Sequence, residues 1–367
     1  MKLLLCAISI TALAYAADSA ETVLRSALTA RTGSVSLPTG VIEISREIAL
    51  PPDVHDLDIR GSGTTLKASD SFRGRALISI PAGRNVKIHD LTLDGNREVV
   101  GHIAELPPAG TAMSRFVAAN GIVAENVTGL EVGPIKATNI AGFAILVSGS
   151  HQIRIHHAEV TGSGGWNSKR RNSGAGGVAI EEGSSDFQID GCLFGVIRGS
   201  AITILASSKG KILENEFRAL ARDAIVVRQG TGIAITRNHA DQIGVPLEEV
   251  DSPGALCMRL ERFDDGEISG NACAETLMGA VSVSGSRNVI RGNHFTGLNN
   301  AHSDAAGIFL GQGSKDITVE ANELSGSGMS LHCIGAAPQV APGANKILKN
   351  DCSDETSVAL LRPATPR

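Results

Sequence analysis

Six times in succession an aliphatic residue stands three positions ahead of an asparagine: Ile212/Asn215, Ile235/Asn238, Ile268/Asn271, Ile290/Asn293, Val319/Asn322 and Ile347/Asn350. Carried backwards, the same register adds Ile189, Ile155, Val132, Ile88 and Ile59 to the aliphatic column, with Cys192, Ala158, Ile135, Leu91 and Ser62 at the asparagine position. The shortest units are close to 23 residues, as from Ile212 to Ile235, and the longer ones carry insertions. Each unit holds alternating runs such as Ile225-Val226-Val227 and Ile233-Ala234-Ile235, with polar turns such as Ser284-Gly285-Ser286 between runs. Period two is the signature of a strand. A unit this small cannot bury an apolar face alone, so neighbours must stack and share one core. At a strand spacing of about 4.8 Å, eleven stacked coils make a rod of roughly 50 Å. Asparagine suits a sharp bend because it tolerates left-handed backbone, and stacked amides can hydrogen-bond as a ladder.

Composition agrees with narrow aliphatic layers and many turns, since 42 of 367 residues are Gly and only 3% are aromatic. A chain that is 42% hydrophobic with a net charge of -5 can bury enough surface to fold. That acidic balance provides no overall field for phosphates, so no nucleic-acid partner is expected. The register resembles the right-handed parallel β-helix of the pectin-lyase-like superfamily over residues 32–361. An amphipathic helix at 21–30, then Leu37-Pro38-Thr39-Gly40 leading to Ile42 and Ile44, and later Leu91-Thr92-Leu93-Asp94-Gly95-Asn96 are similar to the same family. The resemblance implies an all-β solenoid of about eleven coils whose open end is plugged by a capping helix within 17–31, followed by a tail at 362–367.

Residues 1–16 read as a secretory signal peptide: Lys2, an apolar run over 3–13, then Ala14-Tyr15-Ala16. No later run is long and apolar enough to span a membrane, so a secreted or periplasmic location is expected. Beyond the signal lie Cys192, Cys257, Cys273, Cys333 and Cys352. No C-x-x-C pair suggests zinc or redox chemistry. Cys273 and Cys352 share an inward column about 14 Å apart by strand spacing, too far to bridge. They and Cys333 are expected as small core residues, with Cys257 open.

Insertions at 97–119, 161–177, 241–255 and 296–306 fall at the same point of the repeat and should wall one long groove, which suits a linear polymer. The second carries Trp166, followed by Lys169, Arg170 and Arg171. Such a Trp can stack on a sugar ring while Arg170 and Arg171 bind carboxylates or sulfates; alternatively it anchors the loop amid solvated charge. Glu248, Glu249 and Asp251 in the third insertion, and His302 and Asp304 in the fourth, would suit calcium or remain solvated.

Along the groove floor, alternation sets Glu125, Ser148, Glu181, Leu205, Arg228, Glu261, Ser284 and Gly311 in one outward column. A neighbouring column takes Val226, Arg259, Ser282, Phe309 and His332. Arg228, Glu261 and Arg259 should form an Arg-Glu-Arg cluster, as a catalytic centre or as a structural ion-pair ladder. Glycoside hydrolysis asks for two carboxyl groups at about 5 Å or about 6.5 to 9.5 Å. Glu181 and Glu261 stand about 14 Å apart by strand spacing. The Arg222-Asp223 step resembles the acid-bearing turn of some superfamily hydrolases but supplies one carboxylate. Elimination from a uronic acid, or its C5 epimerisation, fits better: Arg228 and Arg259 neutralise the carboxylate, and Glu261, His332 or His302 takes the proton. The expectation is therefore an exported protein that binds an acidic polysaccharide, with Glu181 among the binding residues, acting as a lyase or epimerase. The alternative is a non-catalytic carbohydrate-binding or surface-interaction solenoid.

Overall fold

The computed structural model describes residues 19–101, 111–165, 174–247 and 256–354. Every strand pairing among the described residues is parallel, and the strands wind as three faces. The first face stacks Ile122, Ile145, Val178, Ile202, Ile225, Met258, Val281, Ile308 and Ile334 in register. On the second face the expected aliphatic column is continuous from Ile59 through Ile88, Val132, Ile155, Ile189, Ile212, Ile235, Ile268, Ile290 and Val319 to Ile347. The third face runs from Leu93 and Ala137 through Phe194, Phe217, Ala240, Cys273 and Phe295 to Cys352. Inward residues of all three faces share one core, in which Phe194 and Phe217 stack at 5.3 Å between ring centroids. A coil has room for few side chains across its width, which is why aliphatic residues dominate and aromatics are rare.

The asparagine column is a ladder. Side-chain Nδ2 of Asn215, Asn238, Asn271, Asn293 and Asn322 each donates to Oδ1 of the next asparagine at 2.8–3.0 Å. The same Oδ1 atoms accept the backbone amide of the preceding member, and Nδ2 also donates to the carbonyl of the aliphatic column one coil back. The bend itself falls elsewhere: left-handed backbone belongs to the preceding residue, Glu214, Arg237, Gly270, Gly292, Ala321 and Lys349. The amide is thus selected for its hydrogen bonds and not for its tolerance of positive φ.

A helix at Ala20–Ala27 closes the first coil. Ser19 caps it by accepting from the Thr22 amide, Leu24 is buried, and Arg25 ties the helix to the carbonyls of Arg46 and Glu47 at 2.8 and 3.1 Å. Among the described residues no helix is long and apolar enough to cross a membrane.

The cysteines depart from expectation. Cys257 bonds Cys273, and Cys333 bonds Cys352, with Cα atoms 6.6 and 5.8 Å apart. The separation along the rod does exclude a bond between Cys273 and Cys352, but each disulfide crosses a single coil instead, from the residue before a first-face strand to the third face. The narrow cross-section brings these positions together. Cys192 is a free thiol, which burial pushes up to about 12.

Candidate functional site

The insertions lie at the corner where the third face passes into the first, and the first of them does not simply wall a groove. Its returning segment, with a short turn at Met113–Arg115, lies on the outer surface of the first face. Met113 and Val117 pack there with Val123, Leu146, Phe143 and Ala179 in a second apolar cluster outside the rod. Glu181 pins this segment, accepting the amides of Met113 and Ser114 at 2.7 and 2.8 Å while only 1% exposed. Burial pushes its carboxyl above the usual carboxylate range, and the two amides oppose that shift only in part. The neighbouring Glu182 accepts from Ser148 at 2.6 Å and pairs with Arg115 at 3.0 Å. The groove floor is therefore roofed over its first part, and Glu181 is a loop anchor within that roof.

The floor bears the expected charges from Leu205 onward, and the paired register puts Arg228 beside Glu261. Arg228 Nε stands 3.5 Å from Glu261 Oε2, with the side chains 54% and 49% exposed. Arg259 departs from the expected Arg-Glu-Arg cluster. It turns to Asp223, donating from Nε at 2.7 Å and Nη2 at 3.3 Å. Asp223, its side chain only 8% exposed, also accepts the Leu256 amide at 2.8 Å, where the third insertion rejoins the rod. Burial by itself would lower the Arg259 pKa; the Asp223 hydrogen bonds and charge, with Glu261 nearby, outweigh it and hold the guanidinium charged. Asp223 thus fixes the plane of the guanidinium, whose Nη1 makes no hydrogen bond among the described residues.

Asp223 was visible in sequence only as one isolated acid, because nothing in a strand pattern says that Arg259 leans toward the corner instead of along its own strand. Further along the same outward column come Ser282 and Phe309, the latter 37% exposed. His332 is not in that column. Gly335 takes its place beside Phe309, and His332 ends a short helix at Met329–His332 in the last corner. His302, exposed on the fourth insertion, hydrogen-bonds Ser327 Oγ through Nδ1 at 2.8 Å. Trp166, Arg170 and Arg171, like Glu248, Glu249 and Asp251, lie outside the described residues. Among the described residues no group of three His, Cys, Asp or Glu side chains is placed to hold a metal ion.

No curated protein sequence matches this chain. The profile of the right-handed β-helix region matches residues 76–255. Among solved structures, DFA-IIIase from Arthrobacter chlorophenolicus A6 in complex with GF2 is similar at 15% identity, covering 93% of this chain and 94% of that one with a TM-score of 0.61. A hyperthermoactive exopolygalacturonase from Thermotoga maritima is similar at 12% identity, covering 90% and 87% with a TM-score of 0.59. At such identities the likeness establishes the fold. With its three parallel faces and continuous ladder, the chain is a right-handed parallel β-helix, the fold it shares with these two structures.

Proposed function

We propose that this is an exported, carbohydrate-active β-helix that binds an acidic polysaccharide along the open part of its first face and acts on it as a lyase or C5-epimerase. The observation that carries the reading is the buried Asp223 that aligns Arg259, whose side chain stays one-third exposed and whose Nη1 makes no hydrogen bond among the described residues. A guanidinium held in this way is pre-organised for a carboxylate. Arg228 and Glu261 stand beside it on adjacent coils. In the reaction Glu261 takes the C5 proton of a uronate, and charge developing on the sugar carboxylate is met by Arg259 and Arg228. The electron pair then either forms the C4–C5 double bond as the C4–O bond breaks and its oxygen gains a proton, or recovers a proton at C5 from the opposite face. Asp223 has both oxygens engaged and little exposure, which disfavours it as a hydrolytic acid. Both similar structures are carbohydrate enzymes, and one is named for a polyuronate. Two disulfides and the apolar leader at 1–16 support export.

The experiment is a screen of polygalacturonate and alginate for the ultraviolet absorbance of an unsaturated product, with NMR in deuterated water for exchange at C5. Glu261→Gln is expected to lose about 100-fold or more in kcat/KM, and Arg259→Ala a comparable amount. Full activity in Glu261→Gln, or inactivity of the wild type toward every uronate polymer, would overturn the mechanism. A second reading, a non-catalytic binding rod, draws on one observation: the half-exposed Arg228–Glu261 pair resembles other cross-coil pairs such as Arg237–Glu214 and Arg287–Asp265. On that reading uronate binding persists with no product in either assay.

A further inference from the structure

Beyond Arg259 the open part of the first face carries one large apolar side chain. Phe309, on the strand Ile308–Leu310, stands in the same outward column two coils from Arg259, with Ser282 between them. Two coils is about 10 Å at the strand spacing. Only two phenylalanines are exposed among the described residues, Phe309 and Phe116 of the returning first insertion, each at 37%. The others are buried in the rod or under the roof.

The neighbours of Phe309 leave its ring uncovered. On a sheet surface a side chain is flanked by those opposite it on adjacent strands and by those two positions along its own strand. Here these positions are Ser282 on the coil before, Gly335 on the coil after, and Gly307 and Gly311 along the strand. A Cβ added at Gly335 would meet Ala306 Cβ at 2.9 Å and Phe309 Cδ2 at 3.4 Å, so the ring leans over a position kept clear of side chains. More than a third of its surface stays in water, and a stacked ligand would cover that area.

We infer that Phe309 is a sugar-stacking platform, packing against the C–H face of a pyranose two units along the chain from the uronate held at Arg259. This rests on the uronate reading above and extends it. A pyranose in an extended 1,4-linked chain is about as long as one coil is high, so successive units lie over Arg259, Ser282 and Phe309. The Ser282 hydroxyl, which makes no hydrogen bond among the described residues, faces the middle unit. The roof over Val123, Leu146 and Ala179 lies on the other side of Arg259, so the free arm of the chain is the one that reaches Phe309. An aromatic ring meets the flat apolar face of a sugar without any charge, so the contact rewards chain length and not the carboxylate.

The test is isothermal titration of Glu261→Gln, which does not consume its ligand, with mono-, di-, tri- and tetrauronates. Affinity should rise from the di- to the triuronate. Adding Phe309→Ala should weaken the triuronate and longer chains about tenfold and leave the diuronate and the Tm unchanged, and Phe309→Tyr should keep the gain. In the active enzyme Phe309→Ala should raise KM for the triuronate with kcat retained. Uronates bound with no gain beyond the diuronate, or a gain that survives Phe309→Ala, would overturn this inference and leave the uronate reading standing. Failure to bind a uronate of any length overturns both. A dimer that Phe309→Ala dissociates would also overturn the inference, because a second copy and not a sugar would then cover the ring.

Discussion

Two buried carboxylates flank the first face of this rod, Asp223 just before one of its strands and Glu181 at the end of another, and do opposite things to their surroundings. Asp223 is met by a cation and an amide, so its charge is compensated and it orients Arg259. Glu181 is met by two backbone amides alone, and burial leaves its pKa raised. A carboxyl with a raised folded pKa contributes stability that is present in full below its unfolded pKa and is lost as the pH climbs through the raised value. Thermal unfolding of the wild type and Glu181→Gln between roughly pH 4 and pH 8 should show the wild type losing ground to the variant as the pH rises. A difference in Tm that is flat across that range removes the linkage. Alternation correctly placed Glu181 on the outer surface of its strand. Its partners could not be read, because Met113 and Ser114 belong to an insertion with no periodicity of its own.

At the level of the element, the third-face corner derives its regularity from amides. Asn271 is buried in the middle of the ladder, where it accepts from both the backbone and the side chain of Asn238. Asn271→Ala leaves the buried Asn238 backbone amide unmatched and breaks the row of side-chain amides on both sides, and should cost about 3 kcal/mol, measured by urea unfolding. Asn350→Ala, at the half-buried end of the ladder, should cost less than half of that. Equal losses at the two positions would show that the amides act singly and not as a connected row. This element was legible in sequence because stacking repeats one side chain at one spacing. The left-handed bend was misassigned by one residue because a bend accepts several residue types, among them Glu214, Arg237 and Ala321, and so leaves little mark.

Across the whole molecule, what could be read in advance was whatever repeats from coil to coil: eleven aliphatic positions, alternating strand runs, one corner for the insertions. What could not be read was whatever crosses a coil. The Cys257–Cys273 and Cys333–Cys352 bonds link positions that differ in role within the repeat, so a search along columns passes over them. The folding of the first insertion onto Val123, Leu146 and Ala179 is of the same kind.

That roof has a consequence for any polymer lying on the rod. A strand of sugars passing Phe309 and Arg259 meets a dead end where Met113 and Val117 cover the floor, so it must arrive end first. On the lyase reading proposed above, the length distribution of early products should therefore be dominated by the smallest fragments while the bulk polymer keeps its viscosity. Removing the clamp with Glu181→Ala should shift the cuts toward the interior of the chain.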